Sequence, residues 1–212
     1  MPAYVEQYQC ELRLPVYLTF DDGPHLRVTR RILQVLREER AKATFFIVGN
    51  RLKEPGALEI VAQAIAEGHT IGNHSLTHCD LTLFSERDIT TEVVTTSKLL
   101  EPLGVACTLV RPPYGRTNNV VAKVIEELGY QLVLWNNDPR DWARESQPDK
   151  WVDAVVAAVH ERNARVILCH DIHETTADHL GCLIKRLSRE GYYFATWGET
   201  GKEAGGLGQV LQ

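Results

Sequence analysis

Two adjacent carboxylates and two histidines are the residues of this chain best suited to metal chemistry. Asp21 and Asp22 end a run of strand-forming residues, and His74 and His78 stand four positions apart. If the segment between the histidines is helical, this spacing places both imidazoles on one face. One carboxylate and two imidazoles leave a coordination position open, as a catalytic zinc requires. The other aspartate remains to act as a base, so the set predicts metal-assisted hydrolysis.

Three further groups of polar residues follow apolar, strand-like segments. They are Arg111–Gly115, Asp138 with Asp141 and Trp142, and His170 with Asp171. The carboxyl ends of parallel strands meet at one rim of an α/β fold, and active sites lie at that rim. Each group alone also fits an ordinary turn, a rigid loop or a helix cap. Their shared placement at one rim favours a functional site.

Alternating strand-like and helix-like segments must position these residues. Short apolar runs, typical of strands buried on both faces, predict seven strands at 15–20, 43–48, 69–73, 107–111, 130–135, 165–169 and 192–196. Apolar stripes at helical spacing predict helices at 28–39, 56–67, 86–103, 119–128, 148–162 and 177–190. Seven strands with helical crossovers imply an α/β fold with a parallel sheet, open or closed into a barrel.

Length, charge and hydropathy limit the classes of protein that fit. The 212 residues predict a single domain with a loose, glycine-rich tail at 198–212. The net charge of −5 argues against a nucleic-acid partner, which requires clustered positive charge. No apolar stretch approaches the ~20 residues of a membrane span, and residues 1–11 lack the apolar core of a signal peptide. We therefore expect a cytoplasmic protein as written, or a secreted or cell-wall-associated one if a signal was removed.

Five segments together resemble the motifs of the polysaccharide deacetylase family, also called carbohydrate esterase family 4 or the NodB homology domain. In the family's order they are Thr19–Pro24, Gly72–His78, Arg111–Gly115, Asp138–Trp142 and Leu168–Asp171. The set is highly specific, and the resemblance runs from about residue 15 to residue 197. It implies a distorted parallel (β/α) barrel that removes acetyl groups from N-acetylated or, in some members, O-acetylated sugars.

The resemblance also implies a role for each matching position. Asp22, His74 and His78 would hold a divalent metal, with zinc expected and cobalt or nickel as alternatives. Asp21 would be the general base and His170 the general acid. The supporting roles are orientation of Asp21 by Arg111, orientation of His170 by Asp141, oxyanion binding by the Tyr114 backbone N–H, and substrate contacts by Pro113, Trp142 and Leu168.

These expectations describe a metal-dependent deacetylase of N-acetylglucosamine-containing glycans, either chitin oligosaccharides or peptidoglycan. The same machinery would cleave O-acetyl esters such as acetyl-xylan, or a non-sugar amide or imide, and these stay open as alternatives. A catalytically silent glycan-binding module would have lost a ligand, the base or the acid, and none is missing from the motifs. An iron oxygenase shares the two-histidine-one-carboxylate set, but the α/β fold and the acid–base pair argue against it. The oligomeric state is not predicted.

The loops that follow the predicted strands are short, so few residues remain to build walls around a groove. We therefore expect an open, shallow site that contacts few sugar rings and gains little binding energy from remote ones. Trp142 is expected to provide the main surface on which a sugar stacks.

Overall fold

Strands and helices alternate along the described part of the chain, which in the computed structural model is residues 14–105 and 107–197. The strands are β1 (Leu14–Asp21), β2 (Thr44–Ile47), β3 (Thr70–Asn73), β4 (Leu109–Val110), β5 (Gln131–Leu132), β6 (Val166–His170) and β7 (Tyr192–Phe194). The α-helices are α1 (Val28–Glu38), α2 (Ala57–Ala66), α3 (Glu86–Leu100), α4 (Asn119–Glu127), α5 (Lys150–Arg162) and α6 (Glu174–Arg189). None of these helices is long and apolar enough to cross a membrane.

All strand pairs in the sheet are parallel, in the order β5-β4-β3-β2-β1-β6. The first residues of β1 pair with β7, and its second half pairs with β6. The two ends of the sheet meet where Asn137, which lies beyond β5, forms a bridge with Ile167 of β6. The predicted distorted parallel (β/α) barrel is therefore confirmed; within the described residues, one bridge rather than a full strand pair joins β6 to the chain beyond β5.

Two predicted strands are much longer than the observed ones. The segments 107–111 and 130–135 form ladders of only two residues each, β4 and β5. The side chain of Arg111 explains part of this difference, because its Nε donates to the carbonyl of Val133 and its Nη2 donates to that of Leu134. These carbonyls bond a buried guanidinium instead of a neighbouring strand.

Helix boundaries differ from the predicted ones by a few residues. Helix α5 begins at Lys150 rather than at residue 148, and α6 begins at Glu174 rather than at residue 177. Helix α3 ends at Leu100 and continues as a 3₁₀ turn to Leu103, so the prediction of one helix over 86–103 was wrong at its end. The predicted loose tail at 198–212 lies outside the described residues.

The main apolar core lies between the sheet and the helices that cover it. Buried side chains of β1 and β2 pack with those of α1, α2, α5 and α6 in one cluster, which includes the fully buried Trp151. A smaller cluster joins α3 and α4. The buried core holds the strands rigidly, so that the loops at their carboxyl ends are held in place.

Candidate active site

The carboxyl ends of β1 and β6 bring together two residues from opposite ends of the chain. Asp21 is the last residue of β1, His170 is the last residue of β6, and the two are direct partners in the parallel register. On the other side of β2, Asn73 ends β3 and Val110 ends β4, and these two residues are also register partners. The polar residues predicted to share one rim therefore begin at a common level of the sheet.

Asp21 is a buried carboxylate held by a buried arginine. Arg111 Nη1 donates to Asp21 Oδ1 at 2.7 Å and to Thr19 Oγ1 at 2.7 Å. The guanidinium also lies 4.0 Å from the centre of the Phe46 ring. Because every group of this guanidinium is packed or bonded, Arg111 fixes the orientation of one oxygen of Asp21.

Asp22 faces two imidazoles rather than an arginine. Its Oδ1 lies 2.9 Å from His78 Nε2 and 3.4 Å from His74 Nε2. The three donor atoms lie within 4.8 Å of one another, as ligands of one metal ion would. Burial alone would raise the pKa of Asp22, but the neighbouring His74 and His78 outweigh it and hold this pKa far below its ordinary value. The carboxylate is therefore ionised, as a metal ligand must be.

The hydrogen bonds of these residues fit a cation at this position. His74 Nδ1 lies 2.7 Å from the carbonyl oxygen of Arg111, which can only accept, so Nδ1 carries a proton and Nε2 is the ring nitrogen left to bind a metal. Although His78 Nε2 is close to it, the buried Asp22 Oδ1 accepts no hydrogen bond from the described residues. A carboxylate oxygen without a hydrogen-bond partner beside two imidazole Nε2 atoms is a donor set that suits zinc.

The segment from His74 to His78 is a loop, so the helical geometry considered for this spacing was wrong. Ser75 and His78 have φ values of 64° and 60°, in the left-handed region. Asn73 Oδ1 accepts from the backbone N–H of Ser75, and Ser75 Oγ accepts from the N–H of His78. These side-chain bonds turn the chain so that both imidazoles reach Asp22 without a helix.

Glu92 of α3 also holds this loop, although it was not among the site residues predicted from the sequence. Its Oε2 accepts from the backbone N–H groups of Leu76 and Thr77, both at 2.9 Å. Its Oε1 accepts from Thr77 Oγ1 at 2.9 Å. Glu92 is buried although it is charged. An acid on the apolar side of a predicted helix was the sequence signal that could have identified Glu92, because a buried acid requires hydrogen-bond partners.

His170 is paired with a buried carboxylate. Asp141 Oδ1 lies 2.8 Å from His170 Nδ1, and Asp141 Oδ2 accepts from the His170 backbone N–H at 2.9 Å and from Thr176 Oγ1 at 2.5 Å. Burial alone would lower the pKa of His170, but the hydrogen bond and charge of Asp141, with the charges of Asp21 and Asp22, raise it to about 9. His170 is therefore an imidazolium at neutral pH, with Nδ1 committed to Asp141.

The remaining predicted residues differ in their contacts and in their exposure. Tyr114 has a φ of 60°, its hydroxyl donates to the carbonyl of His78 at 3.3 Å, and its ring contacts the His78 ring. Pro113 and Leu168 are buried, whereas Trp142 is half exposed with the Arg140 guanidinium 5.0 Å from its ring centre. The three residues predicted to contact substrate therefore lie in the loops after β4 and β5 and on β6, and Trp142 is the exposed one of the three.

Asp171 is a further buried carboxyl, and it has no role among those predicted from the sequence. Its Oδ2 accepts from Thr29 Oγ1 at 2.6 Å, and its Oδ1 has no partner among the described residues. The carboxyl group packs so closely on Gly23 that a Cβ atom there would lie 2.1 Å from Asp171 Oδ2. Gly23 therefore lets the turn after Asp22 lie against the end of β6. Burial raises the pKa of Asp171 to about 7.

Comparison with known proteins points to one family. The sequence profile described as "Polysaccharide deacetylase" matches residues 10–133. The chain is 35% identical, over 191 residues, to a peptidoglycan-N-acetylglucosamine deacetylase of Bacillus cereus, covering 87% of this chain and 86% of that protein. It is also 35% identical to the peptidoglycan-N-acetylglucosamine deacetylase PgdA of Listeria monocytogenes over 183 residues, which are 85% of this chain. This match spans 37% of the Listeria protein's length.

A solved structure gives the same result for the fold. The peptidoglycan deacetylase PdaC from Bacillus subtilis superposes with a TM-score of 0.79 at 32% sequence identity. The superposition covers 95% of this chain and 98% of that one. The similarity thus extends over the strands, the helices and the rim that carries the polar residues.

Proposed function

Because this chain belongs to the polysaccharide deacetylase family, we propose that it is a metal-dependent enzyme that hydrolyses the N-acetyl group of N-acetylglucosamine-containing glycans. The observation that carries the proposal is the register of β1 and β6, which sets Asp21 opposite His170. The Asp22–His74–His78 donor set lies next to this pair, with Asp21 Oδ2 only 3.7 Å from His74 Nε2. Amide hydrolysis requires both a base and an acid near the reacting carbonyl.

Asp22, His74 and His78 would hold the metal, and zinc is the ion proposed from their chemistry, with cobalt or nickel as alternatives. A bound metal of this kind supplies Lewis acidity and lowers the pKa of coordinated water from ~15.7 toward ~7. The protein itself supplies an ionised carboxylate and an imidazole whose tautomer is fixed by the Arg111 carbonyl.

Asp21 is the proposed general base. Arg111 occupies one of its oxygens, which leaves Oδ2 on the side of His74 to take a proton from the attacking water. The backbone N–H of Tyr114 is proposed to stabilise the oxyanion. A donor held in place before the reaction stabilises developing charge without further reorganisation.

His170 is the proposed general acid. An amide nitrogen leaves poorly as an anion and must receive a proton as the C–N bond breaks. With Nδ1 bonded to Asp141, the proton for the leaving amine comes from Nε2, and the pKa of about 9 keeps that proton in place at neutral pH. Pro113, Trp142 and Leu168 are proposed to shape the surface that receives the acetylated sugar.

One sheet and one set of covering helices support a single catalytic domain in this chain. Its substrate class is tested by incubating zinc-loaded protein with chitin oligomers, peptidoglycan fragments and acetyl-xylan, followed by mass spectrometry. We expect loss of N-acetyl groups from the first two, and no loss with the Asp21→Asn variant. Release of acetate from acetyl-xylan alone would instead favour an O-acetyl esterase, and no product from any substrate would favour a non-catalytic glycan-binding module.

A further inference from the structure

A cavity of about 520 Å³ opens beside His78, one of the proposed metal ligands. Its walls come from the loop after β3 and from the turn after β4, and they include His78, Asp80, Leu83, Phe84, Tyr114 and Arg116. Small-molecule sites in proteins have volumes of about 300–1,000 Å³. The cavity is therefore large enough for a ligand and is continuous with the proposed reaction centre through His78 and Tyr114.

One wall of this cavity is apolar and accessible. Leu83 is 80% exposed and Tyr114 is 59% exposed, and the half-buried Phe84 follows Leu83 directly. The Tyr114 ring is held in place by its contact with the His78 ring and by its hydrogen bond to the His78 carbonyl. A fixed, exposed apolar surface inside a concave site is typical of ligand recognition rather than of an ordinary surface.

The polar part of the cavity is an anchored ion pair. Arg116 Nη1 donates to Asp80 Oδ2 at 2.7 Å, while Asp80 Oδ1 accepts from the N–H and the hydroxyl of Thr82. The Arg116 side chain is 66% exposed, so the rest of its N–H groups are accessible to a ligand. Because Asp80 balances the charge of Arg116, this pair suits hydroxyl and amide groups better than a carboxylate, which Asp80 would repel.

We propose that this cavity is a sugar subsite that binds an uncharged N-acetylglucosamine ring adjacent to the ring that loses its acetyl group. Leu83 and Tyr114 pack against the apolar C–H face of the pyranose, as carbohydrates and apolar side chains do. The Arg116–Asp80 pair donates to and accepts from its hydroxyl and acetamido groups. This subsite rests on the proposed function for its position, and it extends the sugar contacts beyond Trp142.

Binding rather than turnover tests the subsite. The Asp21→Asn protein, loaded with zinc, is titrated calorimetrically with the N-acetylglucosamine tetramer. Adding Leu83→Ser or Arg116→Ala should raise the Kd by about tenfold, the effect of losing one hydrogen bond to a charged group or one packed side chain. The matched controls are Leu58→Ser and Arg37→Ala, which alter an exposed leucine and an ion-paired arginine elsewhere. The controls should leave the Kd unchanged.

A second ligand tests the neutral character of the subsite. The second ligand is a tetrasaccharide that carries muramic acid carboxylates. Arg116→Ala should raise the Kd for this ligand by no more than it raises the Kd for the neutral tetramer. A loss confined to the anionic ligand would overturn the assignment to an uncharged ring. Equal Kd values for pocket and control variants, or no binding of the tetramer by the Asp21→Asn protein, would overturn the subsite itself.

These outcomes are separate from failure of the proposed function. That function fails if the otherwise unaltered chain removes no acetyl group from any glycan, whereas the subsite is judged by Kd in an inactive background. Leu83 and Arg116 are exposed, so their variants should melt at the temperature of the controls.

Discussion

Two neighbouring aspartates differ in their partners, and this difference divides their proposed roles. Asp21 is bonded to Arg111, while Asp22 lies against His74 and His78. The left-handed φ of 76° at Asp22 turns the chain between them. Non-glycine residues seldom adopt this backbone region, and one that does so is held there by the surrounding structure. Two residues that are adjacent in sequence can therefore have different roles, one as a base and the other as a metal ligand.

Replacing the proposed base should stop catalysis but leave the metal bound. Asp21→Asn keeps an oxygen that can accept from Arg111 but cannot take a proton, so we expect activity to fall at least ~10²-fold. The zinc content of the variant should equal that of the parent protein. The matched comparison is His78→Ala, which should lose zinc and activity together because two ligands hold zinc poorly. Equal zinc loss in both variants would show that Asp21 is a ligand.

The pH dependence of catalysis should report the Asp141–His170 pair. A general acid is active while protonated, so kcat/KM should fall as the pH rises through about 9, the pKa of His170. Asp141→Asn removes the anion that raises this pKa, and burial then favours the neutral imidazole. We expect the alkaline limb of the profile to move to lower pH by at least about one unit. Asp153→Asn, at an exposed acid of α5, is the control. An unmoved limb would mean that a different group supplies the proton.

At the scale of secondary structure, the ligand loop depends on a helix that carries no ligand. Helix α3 is capped by Ser85, and most of its buried apolar residues cluster with those of α4 and with Val110 of β4. The same helix presents Glu92 to two consecutive backbone N–H groups of the loop between His74 and His78. A carboxylate that accepts backbone N–H bonds holds a loop more strongly than a neutral acceptor does.

Weakening this contact should reduce metal affinity through loop geometry alone. Glu92→Gln keeps the size of the side chain but removes its charge and one set of acceptors. We expect zinc affinity to fall about tenfold, the lower end of the effect of outer-shell partners, with little change in the fold. Glu86→Gln, on the exposed first turn of α3, is the control. Zinc affinity measured by competition with a chelator gives the answer, and equal affinities for the two variants would exclude a role for Glu92 in holding the ligands.

At the scale of the whole molecule, closure of the sheet joins the acid to the rest of the site. Asn137 bridges β6, and its Nδ2 donates to the carbonyls of Val155 and Ala164, at 3.1 Å and 2.9 Å. Four residues later the chain reaches Asp141, which orients His170. The position of the acid thus depends on contacts that close the barrel.

Loss of the Asn137 side chain should destabilise the protein as a whole. Asn137→Ala removes the side-chain donor to the Ala164 carbonyl and a second donor to the Val155 carbonyl of α5, and we expect the free energy of unfolding to fall by about 2 kcal/mol. Urea denaturation measures this change, with Asn50→Ala as the control because Asn50 is exposed and, among the described residues, its side chain bonds Lys53 alone. A stability equal to that of the control would show that closure does not depend on this side chain.

The sequence by itself determined the order of the strands and helices and the set of residues at the rim. Apolar periodicity and turn residues act over a few positions, so β1 with Asp21 and Asp22, and β6 with His170, could be located from local pattern. The five motifs also identified the family, because their residue types and order are specific as a set.

Only the tertiary structure decided how distant segments shape the site. The end of β5 depends in part on the Arg111 guanidinium, and the ligand loop depends on Glu92, a residue 15 positions beyond Thr77. The cavity depends on Arg116 and Asp80, which are 36 positions apart. These contacts join side chains that are remote in sequence, and their partners are chosen by packing and by the need to satisfy buried polar groups. Local sequence patterns do not specify these long-range partners, so the contacts can be identified only from the folded structure.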